Sequence, residues 1–118
     1  MSTDWSAEQC WPSGDDRAEE SVQRLAALLP KGGVHVLDVR ERGEYSLGHV
    51  PGAQWIPLGQ LPARLDELPR EGSLAVMCAG GQRSSSAASL LARDGFKDVA
   101  NVPEGFDGWE KAGLPIAR

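Results

Sequence analysis

An apolar run leads into a glycine-containing loop and then into a helical pattern in the segment Leu74-Ala75-Val76-Met77-Cys78-Ala79-Gly80-Gly81-Gln82-Arg83-Ser84. The helical pattern continues through the apolar residues Ala87, Ala88, Leu90 and Leu91. A strand followed by such a loop and a helix start directs backbone N–H groups toward one point, with the positive end of the helix dipole behind them. The segment therefore predicts an anion-binding loop at the end of a buried strand.

The residue at the base of this loop is Cys78. A free cysteine has a pKa near ~8.5, and a helix N-terminus or a nearby cation lowers that pKa to roughly 3.5–7.5. A cysteine at a strand end is often only a small apolar residue. The paired glycines favour the reactive interpretation, because a loop wrapped around an anion needs residues that tolerate positive φ. We predict that Cys78 is a nucleophile. The predicted anion-binding residues are Ala79, Gly80, Gly81, Gln82, Arg83 and Ser84.

Length and charge limit the classes of function. The chain has 118 residues, which suits one domain, and its net charge of −5 does not favour binding to nucleic acid or to an anionic membrane. It has no apolar run of transmembrane length, and its polar N-terminus lacks the apolar core of a signal peptide. We expect a cytoplasmic protein with neither nucleic-acid nor membrane partners.

The cysteine content indicates neither disulfides nor metal. Cys10 and Cys78 are the only cysteines, and His35 and His49 lie at no spacing typical of a zinc site. We predict no metal and no cofactor.

The order of elements predicts an α/β fold. We expect residues 1–16 to form a polar leader, with a short edge strand at 9–11, and residues 17–118 to form the domain. The predicted strands are 34–39, 54–58, 74–77 and 98–102, and the predicted helices are 16–29, 61–68, 82–93 and 105–112. This alternation favours a parallel sheet covered on both faces, with the ligand beyond the carboxyl ends of the strands, where Cys78 falls.

Three separated motifs occur in this chain. They are Leu37-Asp38-Val39-Arg40 with Tyr45-Ser46-Leu47-Gly48-His49-Val50-Pro51-Gly52-Ala53, then the Cys78 loop, then Glu104-Gly105-Phe106-Asp107-Gly108-Trp109 before Gly113-Leu114-Pro115. In this order they resemble the single-domain rhodanese family of sulfurtransferases, over about residues 21–115. The resemblance implies a rhodanese-like three-layer domain, with a mainly parallel central sheet flanked by helices.

The resemblance also implies a reaction in two half-steps. The Cys78 thiolate would take a sulfane sulfur from a donor, thiosulfate or a low-molecular-weight persulfide, and form a persulfide. An acceptor, cyanide or a cellular thiol, would then remove the sulfur, and a protein acceptor is left open. Loop amides would hold the persulfide anion, and covalent catalysis of this kind divides one transfer into two easier ones.

Residues around the loop have predicted supporting roles. Asp38 and Arg40 are expected to be structural, and His49 is expected to hold a turn rather than act as a general base. Two roles stay open for Arg83, namely binding donor oxyanions and pinning the loop through a salt bridge. Two also stay open for Ser84, namely capping the helix and hydrogen bonding to a sulfur atom.

One position departs from the family pattern. Glu104 stands where the family usually has a glycine, so it could restrict φ beside the site or place a carboxylate at the rim. A carboxylate there would disfavour dianionic thiosulfate. The loop also carries only one arginine. Both points favour an organic persulfide such as glutathione persulfide as the donor.

Two other functions are weighed against sulfur transfer. Phosphatases and arsenate reductases with a related loop place five residues between cysteine and arginine, whereas four separate Cys78 from Arg83 here. The second alternative, a non-enzymatic persulfide carrier that hands sulfur to a protein partner, is compatible with the same loop.

Overall fold

Four parallel strands form the central sheet of the protein in a computed structural model, which describes residues 21–118. They are β1 (Val34–Asp38), β2 (Gln54–Trp55), β3 (Ser73–Met77) and β4 (Val99–Asn101). Their order across the sheet is β2-β1-β3-β4. Asp38 lies opposite both Trp55 and Met77, so the carboxyl ends of three strands meet at one edge.

Helices surround this sheet. The α-helices are α1 (Val22–Leu28), α2 (Arg42–Leu47), α3 (Gln82–Arg93) and α4 (Gly105–Lys111). Short 3₁₀ helices occupy Leu29–Lys31, Leu58–Ala63 and Leu65–Glu67. Among residues 21–118, no helix is long and apolar enough to span a bilayer.

Alternate side chains of the strands supply two separate apolar cores. Val36, Ala75 and Met77 pack with residues of α1 and α4 on one face. Leu37 and Val76 pack with residues of α3 and the 3₁₀ segment on the other face. Strands that are buried on both faces in this way are typical of parallel sheets. The predicted α/β fold, with a parallel sheet flanked by helices, is confirmed.

Two predicted elements are wrong in detail. The strand predicted at 54–58 ends at Trp55, because the chain turns at Pro57 into the 3₁₀ helix Leu58–Ala63. The helix predicted at 61–68 is two 3₁₀ helices, since the backbone of Arg64 leaves the helical region at φ −126° and ψ 22°.

Two further differences concern the N-terminal half. Helix α2 was not predicted, and it begins with a capping box in which the Glu44 carboxylate accepts the Glu41 N–H at 2.9 Å. The described part of the helix predicted at 16–29 is α1, which begins at Val22 after the N-cap Ser21. The leader at 1–16, its predicted strand at 9–11 and Cys10 lie outside the described residues.

Candidate active site

Cys78 directly follows β3 at the carboxyl edge of the sheet, and only 1% of its surface is exposed. Its Sγ accepts a hydrogen bond from the Gly81 N–H at 3.1 Å. The Ser84 hydroxyl lies 3.5 Å from the same sulfur. Two donors of the loop segment thus lie close to the sulfur, and anion binding by the loop stays a prediction.

Two opposing effects set the pKa of the Cys78 thiol. Burial raises the pKa, because it disfavours the charged form. Hydrogen bonds from the Ser84 hydroxyl and from the backbone amides of Ser84, Gly81 and Gly80 outweigh burial, so the pKa is lowered overall. The loop thus stabilises the thiolate, the nucleophilic form of cysteine, relative to a free cysteine.

The two loop glycines differ in what they require. Gly81 precedes α3 in the left-handed region, at φ 93°, and a Cβ there would collide with the backbone of Pro103. A Cβ at Gly80 would meet nothing within 4 Å. Only Gly81 is therefore required as glycine by both its φ and its surroundings.

The start of α4 holds the loop from the other side. The Phe106 N–H donates to the Cys78 carbonyl at 2.7 Å, and the Asp107 N–H donates to the Ala79 carbonyl at 3.1 Å. Gly105 has φ 62°, and a Cβ on it would collide with both of these carbonyls. Glycine is needed here because the backbone approaches the loop so closely.

Glu104 is accommodated without strain, and its carboxylate is engaged elsewhere. Its φ of −73° and ψ of −24° are helical, so the position does not need the family's usual glycine. Its Oε1 accepts the Val22 N–H at the start of α1 at 3.0 Å. The expectation that Glu104 restricts the loop or leaves a carboxylate at the rim is thus replaced by a contact between α4 and α1.

Arg83 makes a two-pronged ion pair with Glu44 of α2. The two N···O distances are 2.7 and 2.8 Å. The hydrogen bonds from Arg83 lower the pKa of Glu44 to about 2. In turn Glu44, and to a smaller degree the Cys78 thiolate, raises the pKa of Arg83. Of the two roles left open for Arg83, the salt bridge is the one formed in the structure.

Asp38 and Arg40 form a buried ion pair at the end of β1. The Arg40 Nη2 lies 2.8 Å from the Asp38 Oδ2, and it also donates to the Gly48 carbonyl at 2.7 Å. The guanidinium stacks over the Phe106 ring at 4.4 Å. The pair therefore links β1 to the turn after α2 and to α4, beneath the loop.

His49 is engaged in a turn. Its Nδ1 lies 3.0 Å from the Tyr45 carbonyl, and its ring stacks on the Tyr45 ring with centroids 3.8 Å apart. Its backbone pairs with Ala117. No contact links the ring to the Cys78 sulfur, and this arrangement suits the structural role predicted for it.

Ser84 contacts a residue that the sequence did not single out. Ser84 lies inside α3, whose N-cap is Gly81, so its hydroxyl does not cap the helix. Instead the hydroxyl donates to the Oδ1 of Asn101, which lies on β4 and is 6% exposed. Glu44 was also not predicted. The available signals were the position of Glu44 directly before the motif at 45–53 and the polar side chain of Asn101 in a predicted strand.

Cavities flank the loop on both sides. One, of about 410 Å³, is lined by Gly80, Gly81, Gln82, Ser85, Asn101 and Pro103. Another, of about 250 Å³, is lined by residues that include Arg40, Glu44, Ala79, Phe106, Asp107 and Glu110. Within residues 21–118, no group of three or more His, Cys, Asp or Glu side chains is placed to hold a metal ion.

The comparison with known proteins agrees with this geometry. A family model described as Rhodanese-like domain matches residues 21–112. The chain belongs to the rhodanese-like family. A protein of Allochromatium vinosum named Sulfurtransferase is 32% identical to this rhodanese-like chain over 99 residues, which cover 84% of the chain and 90% of that protein.

Two further relatives extend the comparison. A Bacillus subtilis protein named as a candidate sulfur carrier, YrkF, is 41% identical over 76 residues, which cover 64% of this chain and only 41% of that protein. A crystal structure of a rhodanese-related protein from Thermoplasma volcanium has a TM-score of 0.78 at 29% identity, covering 84% of this chain and 96% of that one. The sequence resemblance to the rhodanese family is confirmed.

Proposed function

We propose that this protein is a sulfurtransferase that carries a sulfane sulfur on Cys78 as a persulfide. The observation that carries the proposal is the environment of the sulfur. Cys78 is buried at the carboxyl edge of the sheet, it accepts the Gly81 N–H at 3.1 Å, and its pKa is lowered. The names of its relatives support a role in sulfur transfer.

The reaction proceeds in two balanced steps. The Cys78 thiolate attacks the outer sulfur of the donor, so that a new S–S bond forms as the donor's own bond to that sulfur breaks. The leaving group departs with the bonding electron pair, as a thiolate from an organic persulfide or as sulfite from thiosulfate. The acceptor thiolate then attacks the outer sulfur of the persulfide and returns Cys78 to a thiolate.

Charges around the loop favour an organic persulfide over thiosulfate. The single loop cation, Arg83, is neutralised by Glu44 at 2.7 Å. Asp107 and Glu110 add two further carboxylates to the cavity beside the loop. A dianion would meet local repulsion there, whereas a donor with less charge on its reacting end is tolerated. We propose glutathione persulfide as the donor and a thiol as the acceptor.

The first experiment follows the mass of the protein after incubation with thiosulfate or glutathione persulfide. We expect a persulfide on the wild-type protein and none on Cys78→Ser, because serine is nearly isosteric but far less nucleophilic. Cys10→Ser is the matched control and should still acquire the sulfur. Appreciable sulfur transfer by purified Cys78→Ser would refute the proposal, as would robust aryl phosphate hydrolysis without persulfide formation.

A second experiment tests the donor. Steady-state rates with the two donors should favour glutathione persulfide in kcat/KM. Glu44→Gln should improve thiosulfate use relative to the wild type, because it frees the Arg83 guanidinium. If the wild type prefers thiosulfate and Glu44→Gln leaves that preference unchanged, the charge argument is wrong.

A persulfide carrier is the second candidate, and the name of the Bacillus subtilis relative favours it. The two functions differ in turnover. An enzyme consumes many equivalents of donor when a small thiol is the acceptor. A carrier stops after one equivalent until its protein partner is added.

A further inference from the structure

One hydroxyl group serves two acceptors in this site. The Ser84 Oγ lies 3.5 Å from the Cys78 Sγ and within short hydrogen-bond distance of the Asn101 Oδ1. A serine hydroxyl carries a single proton, so it can donate to only one of them at a time. All three residues are buried, with exposed fractions of 0% for Ser84, 1% for Cys78 and 6% for Asn101. Little solvent therefore reaches the proton as a third partner.

The closer acceptor is Asn101. A contact of 3.5 Å to a neutral sulfur is a weak hydrogen bond, whereas the contact to the amide oxygen is short and strong. While the sulfur is neutral, the proton therefore points to Asn101. When the sulfur becomes an anion, the hydroxyl can turn to it, but the bond to Asn101 must then break.

We propose that Asn101 is a positioning residue that competes with the Cys78 sulfur for the single proton of Ser84 and so keeps the sulfur reactive. The proposal deepens the sulfurtransferase function and rests on it. A thiolate held by one hydrogen bond fewer is a stronger nucleophile toward the sulfur donor, so Asn101 favours the step that forms the persulfide. Through the cycle the Ser84 proton changes only its hydrogen-bond acceptor. The covalent O–H bond of Ser84 stays intact.

The charged groups near the loop are the same with and without Asn101. They are Arg83 of α3 with its partner Glu44 of α2, the pair Asp38 and Arg40 at the end of β1, and Asp107 and Glu110 of α4. The Gly81 amide donates to the sulfur from the loop itself. Replacing the neutral Asn101 by a neutral residue therefore changes the competition for the proton and leaves the local charge alone.

The test measures the pKa of Cys78 from the pH dependence of its alkylation by iodoacetamide. Asn101→Leu, which has nearly the same shape but no acceptor, should lower the apparent pKa by about 0.5–1 pH unit, the equivalent of one neutral hydrogen bond. Asn101→Ala, as a second variant in case leucine disturbs packing, should shift it in the same direction. Ser86→Ala, on the exposed side of α3, is the matched control and should leave it unchanged.

The double mutant tests whether Asn101 acts through Ser84. Ser84→Ala alone should raise the pKa of Cys78, because it removes a donor to the thiolate. In that background Asn101→Leu should have no further effect, since no proton is left to compete for. An equal shift in both backgrounds would overturn the proposal. So would a rise in the pKa with Asn101→Leu, which would mean that the amide supports the hydroxyl as a donor.

The effect of Asn101 on sulfur transfer is measured separately from its effect on the pKa of Cys78. Asn101→Leu should form the persulfide at lower pH, but above the pKa of Cys78 it should take sulfur from the donor about two- to three-fold more slowly, because a thiolate that Ser84 holds more strongly is a weaker nucleophile. An unchanged or faster rate of persulfide formation above the pKa of Cys78 would contradict the proposal. Since alkylation needs no sulfur donor, a wild type that forms no persulfide would refute the sulfurtransferase function, whereas the pKa shifts alone decide the role of Asn101.

Discussion

Replacing Gly81 by alanine tests how the loop gains its shape, with Gly80→Ala as the control one residue away. Both substitutions add one methyl group to the same loop and keep the backbone N–H. The structure predicts a large loss of stability for Gly81→Ala and little change for Gly80→Ala. Gly81 sits at φ 93° with the Pro103 backbone against its α-carbon, whereas a Cβ on Gly80 has no neighbour within 4 Å.

The expected cost follows from these two features. An L-residue in the left-handed region costs about 1–2 kcal/mol. Forcing a methyl group against backbone adds about 1–3 kcal/mol, because the Pro103 segment must move. The reduced freedom of the unfolded chain returns about 0.4–1 kcal/mol in both variants. Gly81→Ala should therefore lose about 2–4 kcal/mol of unfolding free energy, and Gly80→Ala should change by less than about 1 kcal/mol.

Urea unfolding and thermal melts measure this difference. At about 4 °C for each kcal/mol in a domain of this size, Gly81→Ala should melt roughly 8–16 °C below the wild type. Its Cys78 pKa should also rise, because moving residue 81 lengthens the 3.1 Å contact between its N–H and the sulfur. If both variants lose equal stability, or neither does, the account of the loop is wrong.

Three further predictions concern the supports of the site. Asp38→Asn should lower the free energy of unfolding by about 3–5 kcal/mol, because it leaves the Arg40 charge buried without its partner. Thermal melts measure this loss, and a loss below about 1 kcal/mol would contradict the prediction. Glu104→Ala should lower the free energy of unfolding in urea by about 1 kcal/mol, as the loss of an N-cap does. The rate of Cys78 alkylation should stay unchanged. The pKa of Glu44 is lowered from 4.5 to about 2 on folding, so its pair stabilises the protein above about pH 4.5, and this contribution is lost as the pH falls toward 2. Because the pair is more than one-third exposed, the difference in unfolding free energy between wild type and Glu44→Gln should be at most about 1 kcal/mol at pH 6 and should vanish near pH 2.

The sheet could be predicted from sequence because its signals are local. Each parallel strand is a short apolar run between turn residues, and burial on both faces requires that pattern. The segments where prediction failed are short and governed by single contacts. Helix α2 has six residues and depends on a capping box. The 58–67 segment forms 3₁₀ turns, with Pro62 inside the first and Arg64, outside the helical region, between the two.

Only the part of the site that is continuous in the chain could be predicted from the sequence. The loop from Cys78 to Ser84 is one stretch of chain, so its geometry follows from residue types in order. Its partners are remote in sequence, since Glu44 lies 39 positions before Arg83 and Asn101 lies 17 positions after Ser84. Such pairs depend on which strands become neighbours, and the order β2-β1-β3-β4 is not written in any single segment.

The way in which the loop is held bears on what it can bind. Backbone amides surround the sulfur, α4 fixes the Cys78 and Ala79 carbonyls, and the Pro103 backbone packs against Gly81. The loop cation is at the same time committed to Glu44. Anion recognition here therefore depends on fixed dipoles at short range, which favour a small anion that fits among them.

A persulfide sulfur meets that requirement because its charge sits on one atom covalently attached to Cys78. A free oxyanion would need donors for several oxygens, and each one left unpaired in a buried site costs roughly 1–3 kcal/mol. The contacts that hold the loop therefore favour the proposed sulfur transfer over phosphate chemistry.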